Sequence, residues 1–111
     1  KGYKIVYSDG TNVVDVTADL GNITVGTVAS GEITSSGHII PSATDTYDLG
    51  SAAAVWRDIY TGDLHLSNEQ KTKGNRIDGT KGNWTLQEGQ NDIFMINNIS
   101  GEKFKIKLDK I

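Results

Sequence analysis

The chain has 111 residues, a net charge of −3 and no cysteine, and its apolar fraction of 36% lies below the roughly 45–50% of an ordinary soluble domain. The absence of cysteine excludes stabilisation by disulfides, and the presence of only two histidines leaves almost no scope for a structural zinc cluster. Because a chain of this size has little room for a core of its own, we expect it to be stabilised by association with other chains.

Charge and hydropathy argue against two further classes of protein, those that bind nucleic acid and those that span a membrane. Neither half of the chain is strongly basic, so no nucleic-acid-binding surface is expected. The apolar runs, of which Ile93 to Ile96 is one, are too short to cross a bilayer, and no membrane insertion is expected. The sequence begins at Lys1 without a leader, which we interpret as a processed chain or, more commonly, a fragment.

The first predicted element is a β-hairpin over residues 1–19. Tyr3 to Tyr7 alternate, Asp9 to Asn12 have the composition of a turn, and Val13 to Val16 are again rich in β-branched residues.

A short pattern of glycine, a polar residue and an aliphatic residue recurs after this hairpin. It begins at Gly21, Gly31 and Gly37 and returns at Gly62, with irregular spacings that exclude a fixed-period solenoid. Each copy offers only one or two aliphatic side chains, but three chains wound about one axis would each add the same residue to a shared layer. We therefore predict thin, intertwined β-rungs over residues 20–50, with a loose meander on a larger domain as the alternative.

Residues 51–66 are predicted to form one short helix, about 51–60, followed by a strand. Ser51 is a suitable N-cap and Gly62 a suitable stop. One apolar stripe recurs at helical spacing, and its members are Ala52, Val55, Trp56, Ile59 and Tyr60.

Residues 67–111 are predicted to form a C-terminal antiparallel β-meander. Trp84 and Leu86 begin its first strand, and Ile93 to Ile96 are apolar on both faces, which is typical of a central strand. From Phe104 onward, apolar residues alternate with lysines, which predicts a strand with one solvent-exposed face. The predicted fold class is thus mainly β, an intertwined homotrimeric fibre with one short helix.

The predicted core of the trimer combines the aliphatic residues of the rungs with one tryptophan of the helix. Its members are Ile23, Val25, Ile33, Ile39, Leu64, Leu66 and Trp56.

Two histidines and four aspartates are the candidate residues for metal binding or catalysis. Three copies of His38 could meet at the trimer axis and ligate a metal, but an ordinary surface histidine is the better interpretation, and strand alternation places His65 opposite Leu64 and Leu66. Asp45, Asp48, Asp58 and Asp63 bracket the helix and would have to pair across a cleft to cleave a glycoside. We expect no metal, no cofactor and no catalysis.

Three segments carry a resemblance to tail fibres and related adhesion proteins of tailed bacteriophages. They are Ile39-Ile40-Pro41-Ser42, Tyr47-Asp48-Leu49-Gly50-Ser51 and Trp56-Arg57-Asp58-Ile59-Tyr60. The sequence from Gly82 to Ile106 is in addition similar to the ends of fibre proteins of marine and cyanobacterial phages. The resemblance implies a homotrimeric virion appendage, assembled in the host cytoplasm, with the C-terminal end near the host-facing tip.

The function that the resemblance implies is structural: a tail-fibre tip that binds the host cell surface without chemistry and is not an enzyme. The expected partners are further copies of the chain, other virion tail proteins and a host cell-surface glycan or protein. A neck or baseplate appendage or connector fibre with no receptor contact is the first alternative, and a polysaccharide-degrading tailspike is the second.

Receptor contact is predicted for exposed aromatic residues and for the polar loops of the tip, since loops on a rigid scaffold carry variable specificity. The predicted residues are Trp84, Tyr60, Asn68, Lys71, Asn75, Arg76 and Asn98.

Overall fold

A computed structural model describes residues 23–111. The hairpin predicted over residues 1–19 lies outside the described residues. The chain divides into two units, Lys1–His38 and Ile39–Ile111, and all of the regular secondary structure in the described part belongs to the second unit.

The second unit contains one four-stranded antiparallel sheet. Its strands are β1 (Leu64–Ser67), β2 (Asn83–Glu88), β3 (Ile93–Asn97) and β4 (Lys103–Lys105), hydrogen-bonded in the order β1-β2-β3-β4. The prediction of a mainly β chain with a C-terminal antiparallel meander is confirmed. The meander begins at β1, so the strand predicted to follow the helix pairs directly with the predicted tip.

Both hairpin turns are closed by short backbone hydrogen bonds. Between β2 and β3, the Gly89 amide donates to the Asp92 carbonyl at 2.7 Å, and between β3 and β4 the Asn97 amide donates to the Glu102 carbonyl at 2.9 Å. Gly101 adopts a left-handed backbone with φ 80, a conformation that costs glycine little. Local turn chemistry therefore fixes the register of the three C-terminal strands.

The two faces of the sheet differ in composition. Leu64 pairs with Leu86, Leu66 with Trp84, and Met95 with Phe104. Because side chains alternate along each strand, these pairs share one side, which we call the apolar face: Leu64, Leu66, Trp84, Leu86, Ile93, Met95 and Phe104, with Glu88 and Asn97 at its ends. The opposite face carries mostly polar and charged side chains: His65, Ser67, Asn83, Thr85, Gln87, Phe94, Ile96, Lys103 and Lys105.

No hydrophobic side chain is buried among residues 23–111. Within that part of the chain the only buried residue is Thr85, at 4% exposure, while Leu64, Leu66 and Phe104 of the apolar face remain 44%, 50% and 46% exposed. A sheet normally buries its apolar side against a second layer. In the single chain the described residues supply no such layer.

The helix predicted over residues 51–60 is not found, and residues 23–111 contain no helix. Only one turn forms at its start, where the Ala54 amide lies 3.1 Å from the Ser51 hydroxyl and 3.2 Å from the Ser51 carbonyl. A ten-residue helix is marginal in water unless its apolar side packs on something. Trp56 and Tyr60 of the predicted stripe are 60% and 93% exposed, so that packing is missing.

The rungs predicted over residues 20–50 do not form strands in the described residues 23–50. A strand needs a neighbour to accept its backbone hydrogen bonds. Within residues 23–50 the described chain offers none, and the side chains there are exposed.

Candidate functional site

A wide, open depression lies beside the sheet in the described residues. It is lined by the ends of β1 and β3, by the start of β2 and by the loop of residues 68–82. Four residues predicted to contact a receptor lie around it, namely Asn68, Lys71, Asn75 and Trp84. The structure thus brings together a set of residues that the sequence spreads over 17 positions.

Asn68 closes the base of this loop. Its side-chain oxygen accepts a hydrogen bond from the Gly82 amide at 2.7 Å, and its side-chain nitrogen donates to the Thr80 carbonyl at 3.2 Å. The Asn68 amide also donates to the Gly82 carbonyl at 3.2 Å. The side chain of Asn68 is therefore used to join the two ends of the loop.

Asn75 and Asp78 organise the tip of the loop. The Asn75 side-chain oxygen accepts from the amides of Ile77 and Asp78 at 2.7 and 3.0 Å, and its nitrogen donates to Asp78 Oδ1 at 2.7 Å. Asp78 Oδ1 also accepts from the Thr80 amide at 3.0 Å and the Thr80 hydroxyl at 2.7 Å. These Thr80 bonds, followed by the bond from Asn75, lower the pKa of Asp78 below its ordinary value.

A glycine is required where the two sides of the loop meet. A Cβ atom on Gly74 would overlap the backbone carbonyls of Gly79 and Thr80. Gly79 itself has a left-handed φ of 75, which favours glycine. The loop is therefore a compact, self-bonded structure.

The depression contains two lysines and no acidic side chain. Both ammonium groups have partners, because Lys71 Nζ lies 3.3 Å from Asp45 Oδ1 and Lys81 Nζ donates to the Lys71 carbonyl at 2.7 Å. Arg76 and Ile77 stand at the tip of the loop outside the depression, and Ile77 is 95% exposed. The side chains most available to an outside molecule are those at the tip.

The opposite face carries a hydrogen-bonded polar network that includes Asn98. Its side-chain nitrogen donates to Asn83 Oδ1 and to the Thr85 hydroxyl, both at 2.9 Å. The Thr85 hydroxyl also lies 3.0 Å from His65 Nδ1, and Asn83 donates to Glu69 at 2.8 Å. Asn98 thus holds the turn after β3 against β2.

The two aromatic residues predicted to bind a receptor differ in environment. Tyr60 is 93% exposed. Trp84 is half-buried, and its ring centroid lies 5.6 Å from that of Phe104, a typical aromatic packing distance. Trp84 therefore belongs to the apolar face, and only Tyr60 is a free aromatic platform.

The sequence did not single out Asp78 or Thr85, which hold the loop and the network together. The pair Asp78-Gly79 is a turn signal, and Asn75 three residues earlier suits a side-chain-capped turn. Thr85 had no such signal, because its role depends on the cross-strand pairing with His65.

Three of the four aspartates considered for glycoside cleavage have separate partners. Asp45 pairs with Lys71, Asp58 lies 3.7 Å from Arg57, and Asp63 accepts from the Gln87 amide at 3.1 and 3.2 Å. His38 is exposed, and within residues 23–111 no three histidine, aspartate or glutamate side chains gather at a metal-binding distance. Residues 23–111 contain no helix long and apolar enough to cross a membrane.

The predicted trimer-core residues are open to solvent in the single chain. The four members between residues 23 and 39 are more than half exposed, and the fractions are 69% for Ile23, 54% for Val25, 69% for Ile33 and 81% for Ile39. Leu64, Leu66 and Trp56 are 44%, 50% and 60% exposed.

Comparisons with models of protein families, with curated proteins and with solved structures find no match.

Proposed function

We propose that the chain is part of a homotrimeric phage tail fibre whose C-terminal region binds the host cell surface without chemistry. The chain would then act as a virion component whose partners are its own copies, other tail proteins and a surface glycan or protein of the host.

The absence of any buried hydrophobic side chain among residues 23–111 is the observation that carries this proposal. Folding is driven mainly by burial of apolar surface, and the large apolar side chains of residues 23–63 are exposed. Trp56 is 60% exposed and Ile39 is 81% exposed. Identical chains running side by side would cover such groups layer by layer, because symmetry repeats each one.

The tip of the loop supports the binding part of the proposal. Asn75 and Asp78 brace the loop from within, which leaves Arg76 and Ile77 displayed on a rigid support. Exposed side chains on a preorganised loop lose little entropy when they bind.

One observation favours the alternative of a neck, baseplate or connector appendage without receptor contact. The amide groups of Asn68, Asn75 and Asn98 are occupied by hydrogen bonds within the chain. Three of the seven predicted receptor residues therefore have an internal role that explains their presence.

Cell binding separates the two candidates. The fluorescently labelled chain would be incubated with a panel of bacteria, and bound fluorescence would be measured for the Arg76→Ala variant and for Lys107→Ala, which removes an exposed charge from the C-terminal segment. The binding proposal expects saturable binding to some strains, weakened about fivefold or more by Arg76→Ala and unchanged by Lys107→Ala. Absence of saturable binding across the panel would favour the purely structural appendage.

A further inference from the structure

The apolar face of the sheet is exposed where a sheet is normally covered. Leu64, Leu66 and Phe104 are 44%, 50% and 46% exposed, and the Trp84 ring packs against that of Phe104 across the face. These side chains form one continuous surface, because the strands that carry them are hydrogen-bonded neighbours.

The size of the face limits what can cover it. Four strands about 4.8 Å apart and about five residues long give a flat area of roughly 300 Å². A stable protein interface buries about 800 Å² on each partner. A partner that sat on this face alone would therefore bury too little surface for a lasting complex.

A second copy of the chain could bury more surface than the sheet face alone provides. In the same unit, Ile39, Leu49 and Trp56 are also exposed, at 81%, 77% and 60%, and a copy running alongside would cover them together with the sheet. One partner would then cover both the sheet face and these three side chains.

The distribution of charged side chains favours the apolar face as the one that turns toward the other copies. Lys103 and Lys105 lie on the opposite face, and copies of these lysines brought together near an axis would repel each other. The apolar face carries one charged side chain, Glu88, at the exposed end of β2. Phe94 and Ile96 of that face lie beside the same lysines, whose aliphatic stems can cover them while the ammonium groups stay in water. The polar network around Thr85 is on this side as well.

We propose that the apolar face is the contact between copies of this chain in the C-terminal region, with the opposite face turned to solvent. This inference rests on the trimeric assembly of the proposed function and adds the surface that forms it. Trp84 is then a residue of the contact between copies, and receptor binding is left to the loop tip and the opposite face.

Single cysteines test this orientation in a chain that has none. Leu66→Cys places a thiol on the apolar face, and Ser67→Cys places one on the opposite face of the same strand; both positions are exposed in the single chain. The rate of alkylation by a maleimide would be measured for each full-length variant, natively and in urea, and sedimentation would give the mass of each. We expect a trimer in which the thiol at position 66 reacts about tenfold or more slowly than that at position 67, a difference that urea abolishes.

The other outcomes separate this inference from the proposed function. A trimer in which both thiols react equally fast would overturn the inference and leave the fibre proposal standing. A monomer would overturn both: a protected thiol at position 66 would then mean that another segment of the same chain covers the face. Acrylamide quenching of Trp84 in the Trp56→Phe variant is a second measurement that leaves the apolar face unaltered, and strong quenching in a trimer would also overturn the inference.

Discussion

Residues 39–63 and residues 64–105 belong to one unit but differ in how far their backbone polar groups are hydrogen-bonded within the chain. In the second region every strand has a hydrogen-bonded neighbour, and the loop between β1 and β2 is closed by side chains such as Asn68 and Asn75. The first region has only short turns, for example at Ser51. Neither region buries an apolar side chain. Backbone polar groups can thus be satisfied within one chain while the apolar side chains still lack a partner.

The contrast is clearest for two copies of the same sequence pattern. Glycine, a polar residue and an aliphatic residue occur from Gly37 and again from Gly62. Only the second copy becomes a strand, β1, because β2 lies beside it in the same chain. The pattern is compatible with a strand, and the presence of a neighbouring strand decides whether one forms.

The largest effect is expected for Trp56→Ala, which tests whether the first region is completed by other chains. If Trp56 is fully buried in the assembly, its loss should lower the free energy of unfolding by about 3–5 kcal/mol. Thermal melting of the assembly measures this. Arg57→Ala is the control, because the Arg57 side chain is 97% exposed. Equal melting temperatures for the wild type and Trp56→Ala would mean that Trp56 stays in solvent.

A smaller effect is expected for Gly74→Ala, which tests whether the loop of the second region is self-contained. The added Cβ would overlap the Gly79 and Thr80 carbonyls, and relieving such an overlap costs about 1–3 kcal/mol. Urea unfolding measures the loss. Gly62→Ala is the matched control, since a Cβ there meets nothing within 4 Å. If the free energy of unfolding falls equally in both variants, the close approach at Gly74 does not contribute to stability.

Thr85→Val tests the polar network on the opposite face of the sheet. Valine keeps the shape of the side chain but removes the hydroxyl that contacts His65 and Asn98. Loss of these two hydrogen bonds should cost about 1–2 kcal/mol. Thr85→Ser keeps the hydroxyl and should recover most of the hydrogen-bond contribution. A valine variant as stable as the wild type would contradict this account.

The smallest effect is a pH dependence from Asp78. Its pKa is lowered in the folded chain from an ordinary value of 3.8, so the carboxylate form stabilises the fold. This contribution is present above pH 3.8 and is lost as the pH falls through the lowered pKa. Asp78→Asn keeps the acceptor without the titration, and its melting temperature should fall less between about pH 6 and pH 2 than that of the wild type. Parallel pH profiles would exclude a contribution from Asp78.

The parts of the fold that depend on local chemistry could be predicted from sequence. The run from Ile93 to Ile96 indicated a central strand, and β3 lies between β2 and β4. Alternation placed His65 opposite Leu64 and Leu66, and the register agrees. The helix predicted over residues 51–60 is not found in the single chain, because periodicity identifies an apolar stripe but not the surface on which it packs.

The candidate site was predictable in its residues but not in their roles. Asn68 and Asn75 were identified from composition as loop residues available to a ligand. The structure instead gives their side chains partners within the loop, from 2 to 14 residues away along the chain. Such pairings follow from how the loop folds back on itself, which the residue types do not specify.

The mass of the assembled chain in solution is the most direct test of the central claim, that the apolar surface of this protein is completed by its own copies. Sedimentation equilibrium over a range of protein concentrations would measure it. Three copies of a 12.0 kDa chain should sediment as one species of about 36 kDa. A single species of 12.0 kDa, folded and stable at all concentrations, would contradict the account.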